Sequence, residues 1–130
     1  MPMKKRKILI VDDELDIIET LQFALEQEGY TCCTALDGAE GLNKARTENP
    51  DLIFLDIKLP KMNGYKVARL LKLDEKYRHI PIIILTAKTH DADRIKAIET
   101  GADEYVTKPF DLGHLLELVR RYLMVEVEGK

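Results

Sequence analysis

The sequence predicts an α/β fold in the (βα)5 pattern, a single doubly wound sheet of five parallel strands with helices on both faces. Short apolar runs alternate five times with longer helix-like segments along 130 residues, a length that suits one domain. The runs are almost continuously apolar, as strands buried on both faces are. Right-handed crossovers between such strands place helices on each side of the sheet.

Five runs rich in β-branched and aliphatic residues are predicted to be strands. The run PIIILTA, residues 81–87, is the most apolar of them. The last run contains Pro109, which has no amide proton for a ladder bond and therefore interrupts that strand. The predicted strands are residues 7–13, 30–36, 51–56, 81–87 and 103–110.

Helices are predicted between the strands, because apolar residues recur there three and four positions apart. Gly29 stands where a helix commonly ends in a left-handed residue, and Asp37 is placed to cap the next helix. The predicted helices are residues 14–29, 38–49, about 65–73, a short segment within 88–101, and 111–127.

The bulk composition excludes several classes of protein. With 45% hydrophobic residues and a net charge of -3, the chain can bury a core but lacks a strong nucleic-acid footprint. No apolar stretch approaches the ~18 residues of a membrane span, and the start MPMKKRK lacks the apolar region of a signal peptide. We therefore expect no direct contact with nucleic acid or with a membrane.

The domain limits and the compartment follow from the ends of the chain and from its cysteines. We expect a solvated basic arm at residues 1–6, one domain at 7–124, and a C-terminal tail or the start of a linker at 125–130. Cys32 and Cys33 are neighbours, so in a strand they point to opposite faces and are poorly placed to bond to each other. Two unpaired cysteines favour a reducing compartment, the cytoplasm.

Polar side chains stand at the ends of four predicted strands. These are Asp12 and Asp13 on the first strand, Asp56 on the third, Thr86 on the fourth, and Thr107 and Lys108 on the fifth. Each alone has an ordinary structural explanation, such as an aspartate that caps a helix. Because the carboxyl ends of parallel strands meet at one edge, we expect three carboxylates, a hydroxyl and an ammonium to converge in one cleft.

Three close carboxylates need a counter-charge, since like charges within ~4–6 Å raise one another's pKa. Mg²⁺, or Mn²⁺ in its place, meets that need, because these cations prefer oxygen ligands, use one or two carboxylates and keep several waters. The strand ends therefore predict a magnesium site with open positions that a phosphoryl group could fill.

Four segments resemble the receiver domains of two-component response regulators, such as the chemotaxis regulator. They are VDDE at 11–14, LDIKLPKMNG at 55–64, ILTAK at 84–88 and YVTKPF at 105–110. The resemblance extends from about residue 7 to about residue 123, and it is the combination of segments in this order that is specific. It implies a flavodoxin-like sheet with the strand order 2-1-3-4-5.

The resemblance implies a role for each residue of the predicted cleft. Asp56 matches the phosphoacceptor, and Asp12 and Asp13 match the acids that hold Mg²⁺ together with Asp56 and the backbone carbonyl of Lys58. The phosphoryl donor would be a sensor histidine kinase or a phosphotransfer protein. Because Asp56 alone would be modified and dephosphorylated, we do not expect an enzyme that turns over an external substrate.

Three further residues match the parts of the family that transmit the signal. Lys108 and Thr86 match the ammonium and hydroxyl that contact the phosphoryl group, and Tyr105 matches the aromatic switch residue. A cis bond is implied between Lys108 and Pro109. The signal would alter the face made by the fourth helix, the fifth strand and the fifth helix. A downstream effector or a fused output domain would read that face, and two copies would have the means to pair through it.

Some positions depart from the family's common pattern or are given no functional role. Lys58 and Lys88 flank the path of the water that would hydrolyse the phosphorylated aspartate, so we expect them to affect the lifetime of that state. His114 and Leu118 stand where the DNA-binding branch of the family pairs through charged residues, which argues against that branch. The histidines are read as surface residues, and Tyr65 as a packing residue.

Three other interpretations stay open on the sequence alone. A phosphohydrolase of the haloacid-dehalogenase type would need an acid two residues after its nucleophile, where this chain has Lys58. A flavin mononucleotide carrier has the same strand order, but the acids of VDDELD would repel its phosphate. A receiver-like interaction module that is never phosphorylated is compatible with the sequence.

Overall fold

The computed structural model describes residues 5–87 and 91–128, with the backbone alone for Asp91 and for residues 124–128. Strands and helices alternate as predicted. They are β1 (Lys7–Val11), α1 (Leu15–Gln27), β2 (Thr31–Ala35), α2 (Gly38–Thr47), β3 (Leu52–Asp56), α3 (Gly64–Leu73), β4 (Ile82–Thr86), α4 (Asp91–Glu99), β5 (Glu104–Thr107) and α5 (Leu112–Glu128).

The strands form one parallel sheet in the order β2-β1-β3-β4-β5, so the predicted fold class and strand order are confirmed. Each strand is one to four residues shorter than predicted. β1 ends at Val11, and Asp12 and Asp13 lie just beyond it. The second helix ends at Thr47, ahead of the predicted residue 49, and Asn49 takes a positive φ of 51°.

Apolar side chains of the central strands alternate between two cores, one on each face of the sheet. In β3, Ile53 and Leu55 face the core covered by α2, α3 and α4, while Leu52 and Phe54 face the core covered by α1 and α5. All four side chains are 0% exposed. Burial of each stabilises the fold by about 1.5–3 kcal/mol, so the central strands form a rigid base for the residues at their ends.

The predicted helix signals at Gly29 and Asp37 are present. Gly29 has a φ of 98°, which a residue with a Cβ rarely adopts, and it follows α1. The side chain of Asp37 accepts a hydrogen bond of 2.8 Å from the amide of Glu40. The carboxylate of Glu40 accepts one of 3.0 Å from the amide of Leu36 in return, so the start of α2 is capped from both sides.

Gly38 lets the start of α2 pack against the loop between β3 and α3. Its amide donates to the carbonyl of Pro60 at 3.2 Å. A Cβ added at Gly38 would lie 1.7 Å from the carbonyl oxygen of Met62. No side chain fits in that space, so glycine is required for the contact that seats the loop beside Asp56.

A partly exposed ion pair joins parts of the fold that lie far from the predicted cleft. Lys72 Nζ at the end of α3 lies 2.8 Å from Asp103 Oδ2, and the same oxygen accepts the amide of Ile82 at 2.8 Å. Lys72 Nζ also donates to the carbonyls of Arg78 and Ile80, at 3.0 and 2.8 Å. These contacts fasten the beginnings of β4 and β5 to α3.

Both cysteines are free and half-buried in β2. Cys33 packs against the core of α2, α3 and α4, and Cys32 packs against the core of α1 and α5. They therefore lie on opposite faces of the strand, as neighbours in a strand do. None of the helices in the described part of the chain combines the length and the apolar character that a membrane crossing requires.

Gly38→Ala is expected to lower the free energy of unfolding by about 1–3 kcal/mol, because the loop or α2 must move to admit the methyl group. Urea denaturation followed by circular dichroism measures the change. Gly113→Ala is the matched control, since a Cβ there would meet only Asp111 Oδ1 at 3.4 Å, an ordinary contact. The control is expected to be as stable as the parent or more stable, and equal losses in both variants would contradict the close packing at Gly38.

Candidate functional site

The structure brings the predicted acids together at the carboxyl edge of the sheet. One carboxylate oxygen from each of Asp12, Asp13 and Asp56 lies within 4.8 Å of the others. Asp56 is the last residue of β3, and Asp12 and Asp13 follow β1, the strand paired with β3. Parallel pairing of these two strands is therefore what places the acids side by side.

The three acids differ in their exposure to water. Asp12 is 1% exposed and Asp56 is 6% exposed, whereas Asp13 is exposed. The amide of Asp12 donates to the carbonyl of Ala35 at 3.1 Å, which continues the pairing of β1 with β2 for one residue. Oδ1 of Asp12 accepts the amide of Glu14 at 2.9 Å, and Oδ1 of Asp56 accepts the amide of Ile57 at 2.7 Å. One oxygen of each buried carboxylate is thus held by the backbone.

Lys108 occupies the centre of the acid cluster. Its Nζ lies 2.9 Å from Asp12 Oδ2 and 3.3 Å from Asp56 Oδ2. It lies closest to Glu14, at 2.7 Å from Oε1. The amide of Lys108 donates to the carbonyl of Thr86 at 2.8 Å, and its peptide bond to Pro109 is cis, as the resemblance implied. A backbone bond to β4 therefore positions the ammonium.

Burial and like charge dominate the electrostatics of the cluster. Burial raises the pKa of Asp12 above its usual range, although the hydrogen bond from Lys108 acts against this. Burial, followed by the charge of Asp12, raises the pKa of Asp56. Burial alone would lower the pKa of Lys108, but its hydrogen bonds to Glu14 and Asp12 and the nearby charge of Asp56 together raise it. Lys108 therefore remains an ammonium while the buried carboxylates are costly to ionise.

Thr86 and Tyr105 lie on neighbouring strands beside the cluster. Thr86 ends β4, is 1% exposed and lines the same cleft as Asp56. Tyr105 is half-buried in β5, with the guanidinium of Arg94 5.5 Å from the centre of its ring. Tyr105 lines a separate groove with Arg94 between α4 and β5. The two residues therefore lie on adjacent strands but line different cavities.

The cleft around Asp56 has a volume of about 790 Å³, much larger than one ion needs. Lys58, whose carbonyl was predicted as a ligand, lines it. The other lining residues are Asp13, Glu14, Ile57, Leu59, Pro60, Asn63, Tyr65, Thr86, Ala87, Lys96 and Lys108. Lys88, which the sequence analysis placed beside the path of the hydrolytic water, lies outside the described residues, and so does His90.

The structure adds two residues to which the sequence analysis gave no role in the cleft. Glu14 is part of the segment VDDE, and a third acid after β1 was its only signal. Its side chain is 60% exposed, yet it makes the shortest contact to Lys108. Tyr65 was interpreted as a packing residue, but its hydroxyl donates to the carbonyl of Asp93 in α4 at 3.1 Å. Nothing in the local sequence connects Tyr65 with a helix that begins at residue 91.

The chain matches known proteins over nearly all of its length. A family model for the response regulator receiver domain matches residues 8–120. The alkaline phosphatase synthesis transcriptional regulatory protein PhoP of Bacillus subtilis is 50% identical over 105 residues, which cover 81% of this chain and 43% of that protein. The DNA-binding dual master transcriptional regulator RpaA of Synechocystis is 42% identical over 117 residues, covering 90% of this chain and 48% of that protein.

Solved structures agree with these sequence matches. A CheY-like response regulator receiver domain protein from Methanospirillum hungatei has a TM-score of 0.89 at 30% identity, covering 98% of this chain and 100% of that one. The BeF3-activated receiver domain of DrrB has a TM-score of 0.85 at 36% identity, covering 93% and 99% of the two chains.

The chain therefore belongs to the response regulator receiver domain family, the phosphoacceptor switches of two-component signalling. It spans about half the length of the curated relatives it matches. The relatives named above are transcriptional regulators, which weighs against the expectation drawn from His114 and Leu118. Leu118 is 1% exposed and belongs to the core beneath α5, so it says little about a pairing surface.

Asp12→Asn is expected to raise the free energy of unfolding at pH 7 in metal-free buffer, because the folded chain no longer has to bury a carboxylate at this position. The pKa of Asp12 is higher in the folded than in the unfolded chain. Its contribution to stability is therefore complete below the unfolded pKa of about 3.9 and is lost as the pH rises through the folded pKa. The amide of the Asp12→Asn variant does not ionise, so the variant does not lose this stability as the pH rises.

Urea denaturation of both proteins between pH 4 and pH 8 tests this expectation. The stability difference between variant and parent should widen as the pH rises. Asp13→Asn is the control, because Asp13 is exposed and its charge is already hydrated. A difference that stays constant with pH, or a variant that is the less stable protein at pH 7, would contradict the expectation.

Proposed function

We propose that Asp56 accepts the phosphoryl group and that Asp12, Asp13, Thr86 and Lys108 serve this reaction. The supporting observation is the pairing of the buried Asp56 carboxylate with Lys108 at 3.3 Å, beside two further acids at the same sheet edge. Family membership favours a phosphorylated switch, and Asp56 is the aspartate of the cluster that ends a central strand.

The donor set fits a hard divalent cation, Mg²⁺ or Mn²⁺. Three carboxylates with oxygens within 4.8 Å of one another carry more negative charge than one lysine balances. Asp12, Asp13, Asp56 and the carbonyl of Lys58 would hold the ion. When bound, the cation supplies positive charge that offsets the negative charge on phosphoryl oxygens.

The residues of the chain align and neutralise the transfer. A carboxylate oxygen of Asp56 attacks the phosphorus of a phosphohistidine on a donor protein. A P–O bond forms as the P–N bond breaks, and the histidine nitrogen keeps the electron pair and takes up a proton. Lys108 lies within 3.3 Å of Asp56 and faces the negative charge that spreads over the phosphoryl oxygens. Asp56 alone is modified, so the domain turns over no external substrate.

Thr86 and Tyr105 would carry the change away from Asp56. A phosphoryl group adds about 1.5 to 2 negative charges and strong acceptor oxygens, toward which the Thr86 hydroxyl would turn. Tyr105 on the adjacent strand then moves into the space that is freed beneath α4. A local charge change thus biases the position of α4, β5 and the start of α5.

The partners follow from this role and from the relatives. A sensor histidine kinase or a phosphotransfer protein supplies the phosphoryl group in a cytoplasmic setting. A downstream effector or a fused output domain reads the switched face, and the role of PhoP and RpaA as transcriptional regulators favours a transcriptional output. Two copies pairing through α4, β5 and α5 is part of the same proposal. The receiver itself would not contact nucleic acid, since its net charge is -3.

Asp56→Asn is expected to abolish labelling by acetyl phosphate, because the amide cannot form an acyl phosphate. Intact-mass spectrometry with and without Mg²⁺ should show a mass increase of about one phosphoryl group in the parent only, and only with the metal. Asp74→Asn, at the half-buried residue that follows α3, is the control and should be labelled like the parent. Labelling of Asp56→Asn would move the acceptor elsewhere, and an unlabelled parent would favour an interaction module that is never phosphorylated.

Lys108→Met is expected to tighten Mg²⁺ binding by about tenfold, because the ammonium competes with the cation for Asp12 and Asp56. The same variant should be phosphorylated more slowly, since it lacks the charge that faces the phosphoryl oxygens. Isothermal titration with Mg²⁺ and the acetyl phosphate rate measure the two effects. Lys61→Met, at an exposed lysine paired with Asp37, should change neither. Weaker Mg²⁺ binding by Lys108→Met would contradict the competition.

A further inference from the structure

Tyr65 connects the start of α3 with the first turns of α4. Its hydroxyl donates to the carbonyl oxygen of Asp93 at 3.1 Å and lies 3.5 Å from the Asp93 carboxylate. The ammonium of Lys96 lies 5.2 Å from the centre of the Tyr65 ring. Asp93 and Lys96 are three residues apart and so share one side of α4. Two different interactions therefore hold the same tyrosine against that helix.

The other end of this connection is anchored at the phosphoacceptor. Gly64, the residue before Tyr65, donates its amide to the carbonyl of Ile57 at 2.8 Å. A Cβ added at Gly64 would lie 2.1 Å from the carbonyl oxygen of Asp56. The first turn of α3 thus packs directly on the backbone of Asp56, and Tyr65 lines the same cleft. A short, rigid path joins Asp56 to α4 without passing through Thr86 or β5.

The hydroxyl of Tyr65 stays protonated across the physiological range. Burial, with the nearby charge of Asp93, raises the pKa of Tyr65 to about 12. Burial and the charge of Asp93 also raise the pKa of Tyr105, so both tyrosines lie close to this residue of α4. The Tyr65 hydroxyl can therefore donate a hydrogen bond to the Asp93 carbonyl throughout this pH range.

We propose that Tyr65 is a positioning residue of the switch that holds α4 in the place it has while Asp56 is a free carboxylate. Lys108 pairs with Asp12, Glu14 and Asp56 in this structure, which is the pairing of an unmodified aspartate. The inference rests on the proposed function, because it requires a phosphorylated state in which α4 takes another position.

Displacement of α4 would break the contact, since hydrogen bonds weaken steeply with distance and angle. Thr86 ends β4, and the chain runs from it to the first turn of α4, where Asp93 lies. If Thr86 were drawn toward a phosphoryl group and α4 were displaced with it, the 3.1 Å contact between Asp93 and the Tyr65 hydroxyl would lengthen. A contact that exists in one state only shifts the equilibrium toward that state by its own free energy. Tyr65 therefore opposes activation.

Tyr65→Phe removes the hydroxyl and keeps the ring beneath Lys96. The variant is expected to bind beryllofluoride, in the presence of Mg²⁺, about two- to tenfold more tightly than the parent, the range that one net hydrogen bond provides. Titration followed by amide NMR measures the affinity. Without beryllofluoride, the α4 amide signals of the variant should already be displaced toward their positions in the beryllofluoride complex.

Two further variants make the test specific. Tyr30→Phe removes the same hydroxyl group from a tyrosine that precedes β2, at the opposite edge of the sheet, and should leave the affinity unchanged. Lys96→Met removes the cation over the Tyr65 ring and should tighten beryllofluoride binding in the same direction by a smaller factor. If Tyr65→Phe fails to fold, the beryllofluoride affinity of Lys96→Met tests the same inference.

The outcomes separate this inference from the function on which it rests. If the parent binds beryllofluoride and Tyr65→Phe binds it equally well or more weakly, Tyr65 does not restrain α4 and the phosphoacceptor role stands. If the parent binds no beryllofluoride with Mg²⁺ present, the phosphoacceptor role fails and the role of Tyr65 fails with it. A loss of stability without a change in affinity would also overturn the inference, because it would reveal a merely structural contact.

Discussion

The arrangement of the cleft depends on one ammonium group among three carboxylates. Lys108 lies within 3.3 Å of Asp12 and Asp56 and closer still to Glu14. Two buried acids at the ends of paired strands would otherwise repel each other in surroundings that hydrate them poorly. The lysine offsets this repulsion, and its backbone is held beside the cleft by a hydrogen bond to Thr86 on the adjacent strand. The balance of charge in the cleft therefore depends on the geometry of the sheet. A charged group that binds beside Asp12 or Asp56 would compete with Lys108 for the same carboxylate oxygens.

Much of the fold and the centre of the site could be predicted from the sequence. The strand order places the ends of β1, β3 and β4 side by side, so residues that are far apart in the chain, such as Asp12, Asp56 and Thr86, had to converge. The helix cap at Asp37 followed from local chemistry, since its side chain serves an amide three residues away. Predictions of this kind succeed where a residue's role is set by its position in a strand or by its immediate neighbours.

The remainder depends on side chains that meet across elements without a local signal. Glu14 joins Lys108 because a side chain beyond β1 folds back over the cleft, which neither its type nor its neighbours indicate. The contact of Tyr65 with Asp93 depends on how α3 and α4 lie against each other. The end of β1 was predicted too late because Asp12 and Asp13, which directly follow its apolar run, look like part of the strand. Only the amide of Asp12 continues the pairing with β2.

The ion pair of Lys72 with Asp103 has a mechanical consequence for β5. Asp103 stands just before this edge strand and is bound to both Lys72 and the first residue of β4, while Lys108 follows the strand at its other end. The beginning of the strand is thus held by Asp103, and Lys108, which contacts Asp56, follows its end. The strand is therefore held at its beginning by Asp103 and along its length by β4, so a displacement at Lys108 would be largest at the carboxyl end of the strand.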